Sequence, residues 1–182
     1  MVYEASLLAF HERLKSAGIE GFRSSSTSIV RKIPWVADCD CHEDWYVLDD
    51  WATLGALSQA SISGEQKAAH DLVTHSSSIH AATLYSLRHG TYKLDAPVAV
   101  WFFKPENMAM WVMEELLAPY LDLPGSSLWQ REMALGPAPE FCFLGERAWE
   151  HERIPAVVVN RQKFIQAPRS NRMFLPAKNR GA

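Results

Sequence analysis

Thiol chemistry is scarce in this chain: there are three cysteines, Cys39, Cys41 and Cys142. The first two are separated by a single residue, too close to bridge comfortably, so a disulfide framework is excluded and a reducing, cytoplasmic setting is expected. Long apolar runs are lacking as well. None approaches the roughly 18 residues of a membrane-spanning helix, and the opening MVYEASLLAFHERLK carries Glu4 within an amphipathic pattern, unlike a signal peptide, so no membrane partner is expected. Positive charge is not in excess: 18 Lys and Arg face 21 Asp and Glu, a net charge of -3. No general basic field exists for gripping phosphates, which argues against nucleic acid as a partner. There is also no P-loop, G-x-G-x-x-G, G-x-S-x-G or H-E-x-x-H, so the common nucleotide, hydrolase and metalloprotease chemistries have no support.

What is present is the composition of a globular protein, with 48% apolar and 21% charged residues in 182, enough for one domain or a close-packed pair of halves. Residues 2–17 put Tyr3, Leu7, Phe10 and Leu14 on one helical face, with Glu4, His11, Glu12 and Lys15 elsewhere and Gly18 as a stop. Residues 22–33, rich in Ser, Thr and β-branched side chains, read as an extended segment ending at Pro34. The polar stretch DCDCHED then reads as a loop before a short strand, WYVL, at 45–48. Helices follow at 50–60 and 65–76, broken near Gly64, and a strand at 81–90 closes on Gly90.

A second, clearer cycle begins at VAVWFF, 98–103, an apolar run without alternation whose two faces must both be covered. Pro105 suits the start of a helix over 106–118 that ends around Pro119. Strands follow at 127–135, 141–144 (FCFL) and 156–159 (AVVV). The order helix, glycine turn, long strand, proline loop and short aromatic strand recurs in both cycles: GIEGFRSSSTSIVRKIP before WYVL is matched by LPGSSLWQREMALGP before FCFL. The expected organisation is an N-terminal half at 1–90, a C-terminal half at 91–165 and a basic tail at 166–182. The first half has no opening strand before its helix, the second has only ERAWEHER where its second helix would stand, and the strand at 156–159 is a candidate to fill the place the first half leaves empty.

Strands with two apolar faces need helices on one side and a second sheet or a closed barrel on the other. In this order of elements, and in VAVWFF, FCFL and AVVV, the chain resembles the dimeric α/β-barrel superfamily. That resemblance implies an α+β fold of two ferredoxin-like βαββαβ-type halves in tandem, the first lacking its opening strand, with antiparallel sheets packed as an α/β barrel. Families of that architecture include small monooxygenases and haem-handling enzymes. No family motif is matched, so none of their catalytic residues carries over, and the fold would supply a cavity.

Several residues could furnish chemistry. Cys39, Cys41 and His42, inside the acidic stretch Asp38 to Asp44, are ligand types for zinc and other transition metals. The competing reading is an acidic hairpin loop with incidental thiols. His80 and His89 flank a predicted strand and are candidates to line a barrel interior as acid, base or haem ligand, whereas His70 and His75, five residues apart, turn by about 140° and do not share a helical face. Arg131 alternates with Trp129 and Met133; facing a barrel interior it could bind an anion, and otherwise it reaches the rim. Trp35, Trp45 and Trp51 could wall an apolar pocket or serve as core. The helix at 106–118 is apolar nearly all round, which suits burial or a homodimer interface. The tail from Arg161 carries Arg161, Lys163, Arg169, Arg172, Lys178 and Arg180 with no acid, a solvated or partner-packed segment or an arm for an anionic ligand.

The expectation is therefore a small-molecule-binding barrel, with an oxygenase- or isomerase-like enzyme on an apolar or aromatic compound as its catalytic form. Its rivals are a self-associating, non-catalytic protein and a metal- or haem-binding one.

Overall fold

A computed structural model describes residues 2–77 and 81–166. Helix α1, Val2–Ser16, forms because Leu7, Phe10 and Leu14 recur at helical spacing, and all three are buried. Strands β1, Phe22–Ile33, and β2, Ala37–Leu48, make a long antiparallel hairpin. DCDCHED is thus part of a strand and not a loop. Its charges are tolerated because β2 is an edge of the sheet, where charged side chains also discourage pairing with another chain.

Asp50 caps helix α2, Trp51–Ser61, its carboxylate accepting from the Thr53 backbone N–H at 2.8 Å. Helix α3, Gln66–Ser76, and strand β3, Ala82–Gly90, complete the first half. The second half supplies β4, Val98–Phe102, then α4, Met110–Leu121, β5, Ser127–Leu135, β6, Phe141–Gly145, and β7, Ala156–Gln166. Helix α4 starts a turn later than the sequence suggests and runs through Pro119. Pro105 closes a turn, its carbonyl accepting from Met108 N at 3.0 Å, while Pro119 lies in the last helical turn and the Asp122 N–H still reaches Ala118 O at 3.0 Å. No helix among the described residues is long and apolar enough to cross a membrane.

All seven strands form one antiparallel sheet in the order β2-β1-β7-β4-β6-β5-β3. The late strand β7 lies between β1 and β4, and β3 pairs with β5, so early and late segments of the chain share the one sheet. The sheet curls into a half-barrel: Trp45 on the edge strand β2 and Tyr85 on the opposite edge strand β3 bring their ring centroids to 5.9 Å.

Helices cover the convex side. Phe10, Leu14, Leu57 and Ala69 of α1 to α3 pack with Phe22, Tyr46 and Leu48 of the hairpin. Met113, Leu117 and Leu121 of α4 pack with Val98, Val100, Phe102, Phe141 and Phe143. ERAWEHER forms no helix, and its Trp149 is buried against Phe102 and Phe143. The concave side carries a core of its own, from Val30, Val47, Ala99, Trp101, Trp129, Cys142, Leu144 and Val159. Both faces of β4 and β6 are covered, which accounts for the runs at 98–102 and 141–144. The expectation fails for Phe103, 56% exposed just past β4. It fails also for 156–159, where Val159 is buried on the concave face but Val158 on the other face is 40% exposed because no helix lies over it.

Candidate functional site

The concave face is built from alternate residues of neighbouring strands. β2 turns Glu43 and Trp45 inward, β1 Ser26 and Val30, β7 Val159 and Arg161, β4 Trp101, β6 Cys142, β5 Trp129 and β3 Tyr85. Around Trp101 the rings of Trp35, Tyr85 and Trp45 stand at 5.5, 5.8 and 6.4 Å between centroids, and Trp45 meets Trp129 at 5.3 Å. These spacings and tilts suit edge-to-face and offset contacts between aromatic rings.

One ion pair sits in this apolar setting. The Arg161 Nε donates to Glu43 Oε2 at 2.6 Å, and the two side chains are 1% and 11% exposed. The loop at 91–97 folds over the same face, burying Leu94 and Ala96, and presents the carbonyls of Leu94 and Ala96 to Arg161 Nη1 at 2.9 and 2.8 Å. The guanidinium is therefore fixed on two sides while its Nη2 meets no acceptor. Glu43 Oε1, Trp101 Nε1 and Ser26 Oγ are likewise buried without a hydrogen-bond partner among the described residues. On the concave face, four strands that are consecutive in the sheet, β2, β1, β7 and β4, thus each contribute one buried polar atom that the protein leaves unsatisfied. Away from it His42 Nε2, His70 Nδ1, Trp149 Nε1 and, on the covering loop, Asp95 Oδ1 are in the same condition. Such atoms are rare in native interiors and each costs about 1–3 kcal/mol unless water or a ligand group answers it. By contrast, Trp129 donates its indole N–H to Ser127 Oγ at 2.9 Å, and the Tyr85 hydroxyl donates to Pro139 O at 2.9 Å. Burial raises the Tyr85 phenol and the Cys142 thiol well above their ordinary values, so both stay neutral near pH 7.

A second polar constellation lies on the convex side, under α1. His11 is 1% exposed, with Nδ1 at 2.7 Å from Ser25 Oγ and Nε2 at 2.9 Å from Thr27 Oγ1, and Thr27 in turn donates to Asp44 Oδ1 at 2.7 Å. The imidazole stacks on Tyr46 at 5.4 Å and 11°. The line serine, histidine, threonine, aspartate has the chemistry of a proton relay, but Ser25 is fully buried, so no substrate reaches its hydroxyl. It serves to lock α1 onto the hairpin.

Among the residues singled out from sequence, Trp129, Trp35 and Trp45 belong to the concave face, whereas Trp51 is 64% exposed at the start of α2. Arg131 donates to the Ala138 carbonyl and lies 5.9 Å over the Phe103 ring, already engaged. His89 is a surface residue 4.0 Å from Asp122. His80, the side chain of Cys39 and residues 167–182 of the basic tail lie outside the described residues. Arg161 and Lys163, read with that tail, belong instead to β7, where Arg161 is buried because Glu43 and two loop carbonyls answer it. Cys41 packs toward the concave cluster while His42, the next residue on the strand, meets Tyr3 and Phe164 at 4.9 and 5.5 Å on the α1 side. Strand alternation thus sends these two candidate metal donors to opposite faces, and among the described residues no group of three His, Cys, Asp or Glu is placed to hold a metal ion. Among the described residues, the histidines at 11, 42, 70, 75, 89 and 151 make their contacts away from the ring-filled concave face.

The pair Glu43 and Arg161 escaped a reading along the chain because 118 residues separate them. A signal existed in the period-two pattern, Glu43 with Trp45 and Arg161 with Val159 and Val157, which marks an inward charge on each strand. Open grooves lie elsewhere, one of about 510 Å³ between α1 and α3 and one of about 340 Å³ beside Trp149 and Val158.

No family model, curated protein or solved structure matches the chain. Fold and site define a class by themselves: an α+β protein with a curled, antiparallel seven-stranded sheet, whose concave face holds a buried ion pair among aromatic rings.

Proposed function

We propose that the chain is a small-molecule-binding α/β barrel made of two ferredoxin-like halves in tandem, with its ligand on the concave face. The architectural part is supported by the order β7-β4-β6-β5. Numbered within its own half this is 4-1-3-2, with α4 following the first strand, the order of a ferredoxin-like unit. The other half sets β1 beside β7 and β3 beside β5, and the open seam between β2 and β3 falls where its opening strand would stand.

The functional part is carried by one observation: four buried, unanswered polar atoms on four consecutive strands, beneath a wall of aromatic rings. Apolar sites with a few convergent polar groups are where small ligands bind. The test is a screen of small aromatic compounds against protein carrying ¹⁵N-labelled tryptophan. Binding shifts the Trp101 indole resonance and leaves those of exposed Trp51 and Trp111 in place. A screen in which Trp101 never moves removes the ligand reading.

A second reading, self-association with another copy, is favoured by Trp111, which is 67% exposed on α4. Sedimentation of the wild type and of Trp111→Ser decides it. A concentration-dependent dimer that the substitution dissolves supports the reading, and a monomer at all concentrations ends it.

A further inference from the structure

The polar inventory of the concave face specifies what kind of molecule it takes. This step rests on the ligand-binding reading above. We infer that the ligand is a neutral, planar molecule bearing a hydrogen-bond acceptor and an N–H donor on one edge, as an amide or lactam does.

Charge comes first. Arg161 and Glu43 touch at 2.6 Å with both side chains nearly sealed from water, so the pair is neutral as a unit. An anion drawn to Arg161 Nη2 would bring a second negative charge beside Glu43 with no cation left to balance it. A cation at Glu43 Oε1 would meet the guanidinium in the same way. Burying such an uncompensated charge is strongly unfavourable, which excludes carboxylates, phosphates and amines alike.

The hydrogen-bonding count then excludes hydrocarbons. The Arg161 Nε and Nη1 are spent on Glu43, Leu94 and Ala96, which leaves the N–H groups of Nη2 free. Trp101 offers one more donor, Glu43 Oε1 offers acceptor capacity, and the Ser26 hydroxyl can act either way. A carbonyl oxygen answers Nη2 and the indole N–H, while an adjacent N–H answers Glu43. Shape follows from the walls, since Trp35, Trp45, Tyr85 and Trp129 set flat faces around Trp101 and suit a flat ring.

Access is through the seam. The four polar atoms are fully covered in this structure, and Trp45 and Tyr85 close the cover by ring contact alone, because β2 and β3 are the two unpaired edges of the sheet. Parting those rings breaks no ladder hydrogen bond.

Three molecules of one size separate the possibilities: benzamide, benzoate and toluene, titrated by calorimetry with the Trp101 indole resonance followed in parallel. Benzamide is expected to bind at least tenfold more tightly than either of the others. Trp101→Phe, which keeps a ring and removes the N–H, should weaken benzamide about two- to tenfold and leave toluene unchanged. Glu43→Gln, which keeps the shape but breaks the neutral count, should narrow the gap between benzamide and benzoate. Should that variant fail to fold, Trp101→Phe still decides, its near-ultraviolet circular dichroism reporting the fold. Benzoate or toluene binding as tightly as benzamide, or benzamide indifferent to Trp101→Phe, overturns the ligand class while the site stands. No shift of Trp101 with any of the three, at concentrations up to their solubility, means that water alone answers these atoms, and both readings fall.

Discussion

The strongest constraint at the scale of single residues is that a buried polar atom must be answered, and His11 shows how its answer fixes a chemical state. Thr27 donates its hydroxyl hydrogen to Asp44 at 2.7 Å, so toward His11 the same oxygen can only accept. A proton must then sit on Nε2 of the imidazole, whose Nδ1 lies 2.7 Å from the Ser25 hydroxyl oxygen. Long-range ¹H–¹⁵N spectra of the histidines are expected to display His11 as the Nε2–H tautomer, and a spectrum with the hydrogen on Nδ1 refutes this wiring. Thr27→Val removes the acceptor without changing shape. It should cost about 1–3 kcal/mol in urea denaturation, the penalty for stranding a buried donor, while Ser76→Ala at the exposed end of α3 serves as a neutral control. From sequence alone His11 reads as part of the polar face of α1. The reason is that its partners come from β1 and β2, and helical periodicity carries no information about what an opposing strand offers.

Elements were legible wherever one local rule dominated. The stripe Leu7, Phe10, Leu14 gives α1, and of the apolar runs at 98–103, 141–144 and 156–159 the first two give strands covered twice, short of the exposed Phe103, while the third is covered on one face only. The rule failed for DCDCHED because polarity marks a loop only where no sheet edge is on hand to take charge, and for α4 because the helix continues two residues past Pro119, which forgoes its own N–H bond while the Asp122 N–H still closes the turn on Ala118 O. The concave site was half legible: period two brings Trp45 and Trp129 to one face, but the neutral pair Glu43 and Arg161 is a product of topology. Glycine punctuation, by contrast, can be tested quantitatively. Gly90 ends β3 at φ +84°, and a Cβ there would lie 2.0 Å from the Ser126 carbonyl oxygen and 2.9 Å from Ser127 Cα, in backbone that pairs with it. Gly18 has a similar φ of +64° and open space around it. Gly18→Ala should therefore cost about 1–2 kcal/mol for the left-handed conformation alone. Gly90→Ala should exceed it by at least about 2 kcal/mol, in the range of overpacked sites, since backbone must move. Equal losses for the two substitutions in urea melts would mean that the contact at Ser126 is not tight.

For the molecule as a whole, a single curled sheet separates two interiors, helices against the convex face and rings against one another within the concave one. Each interior has taken in an acid that is neutral near pH 7. Tyr46 on the helix side has its phenol raised by burial first and by Asp44 next. On the ring side burial comes first for both Tyr85 and Cys142, followed by Cys142 for the phenol and by Glu43 for the thiol. In the unfolded chain a cysteine gives up its proton near pH 8.5 and a tyrosine near pH 10. The folded protein holds these protons longer, so above those values the unfolded state binds fewer protons than the native one and stability must fall as pH rises. The contribution is complete below about pH 8 and declines through the alkaline range. The midpoint of urea unfolding should accordingly be level between pH 7 and 8 and drop steadily toward pH 10.5. Tyr85→Phe, which keeps the ring against Trp45 and Trp101 but cannot ionise, should flatten part of that slope. A midpoint that stays constant to pH 10.5 would mean that water reaches these groups in the native state, and a concave face so open to water could not impose the neutral hydrogen-bonding selection derived for it.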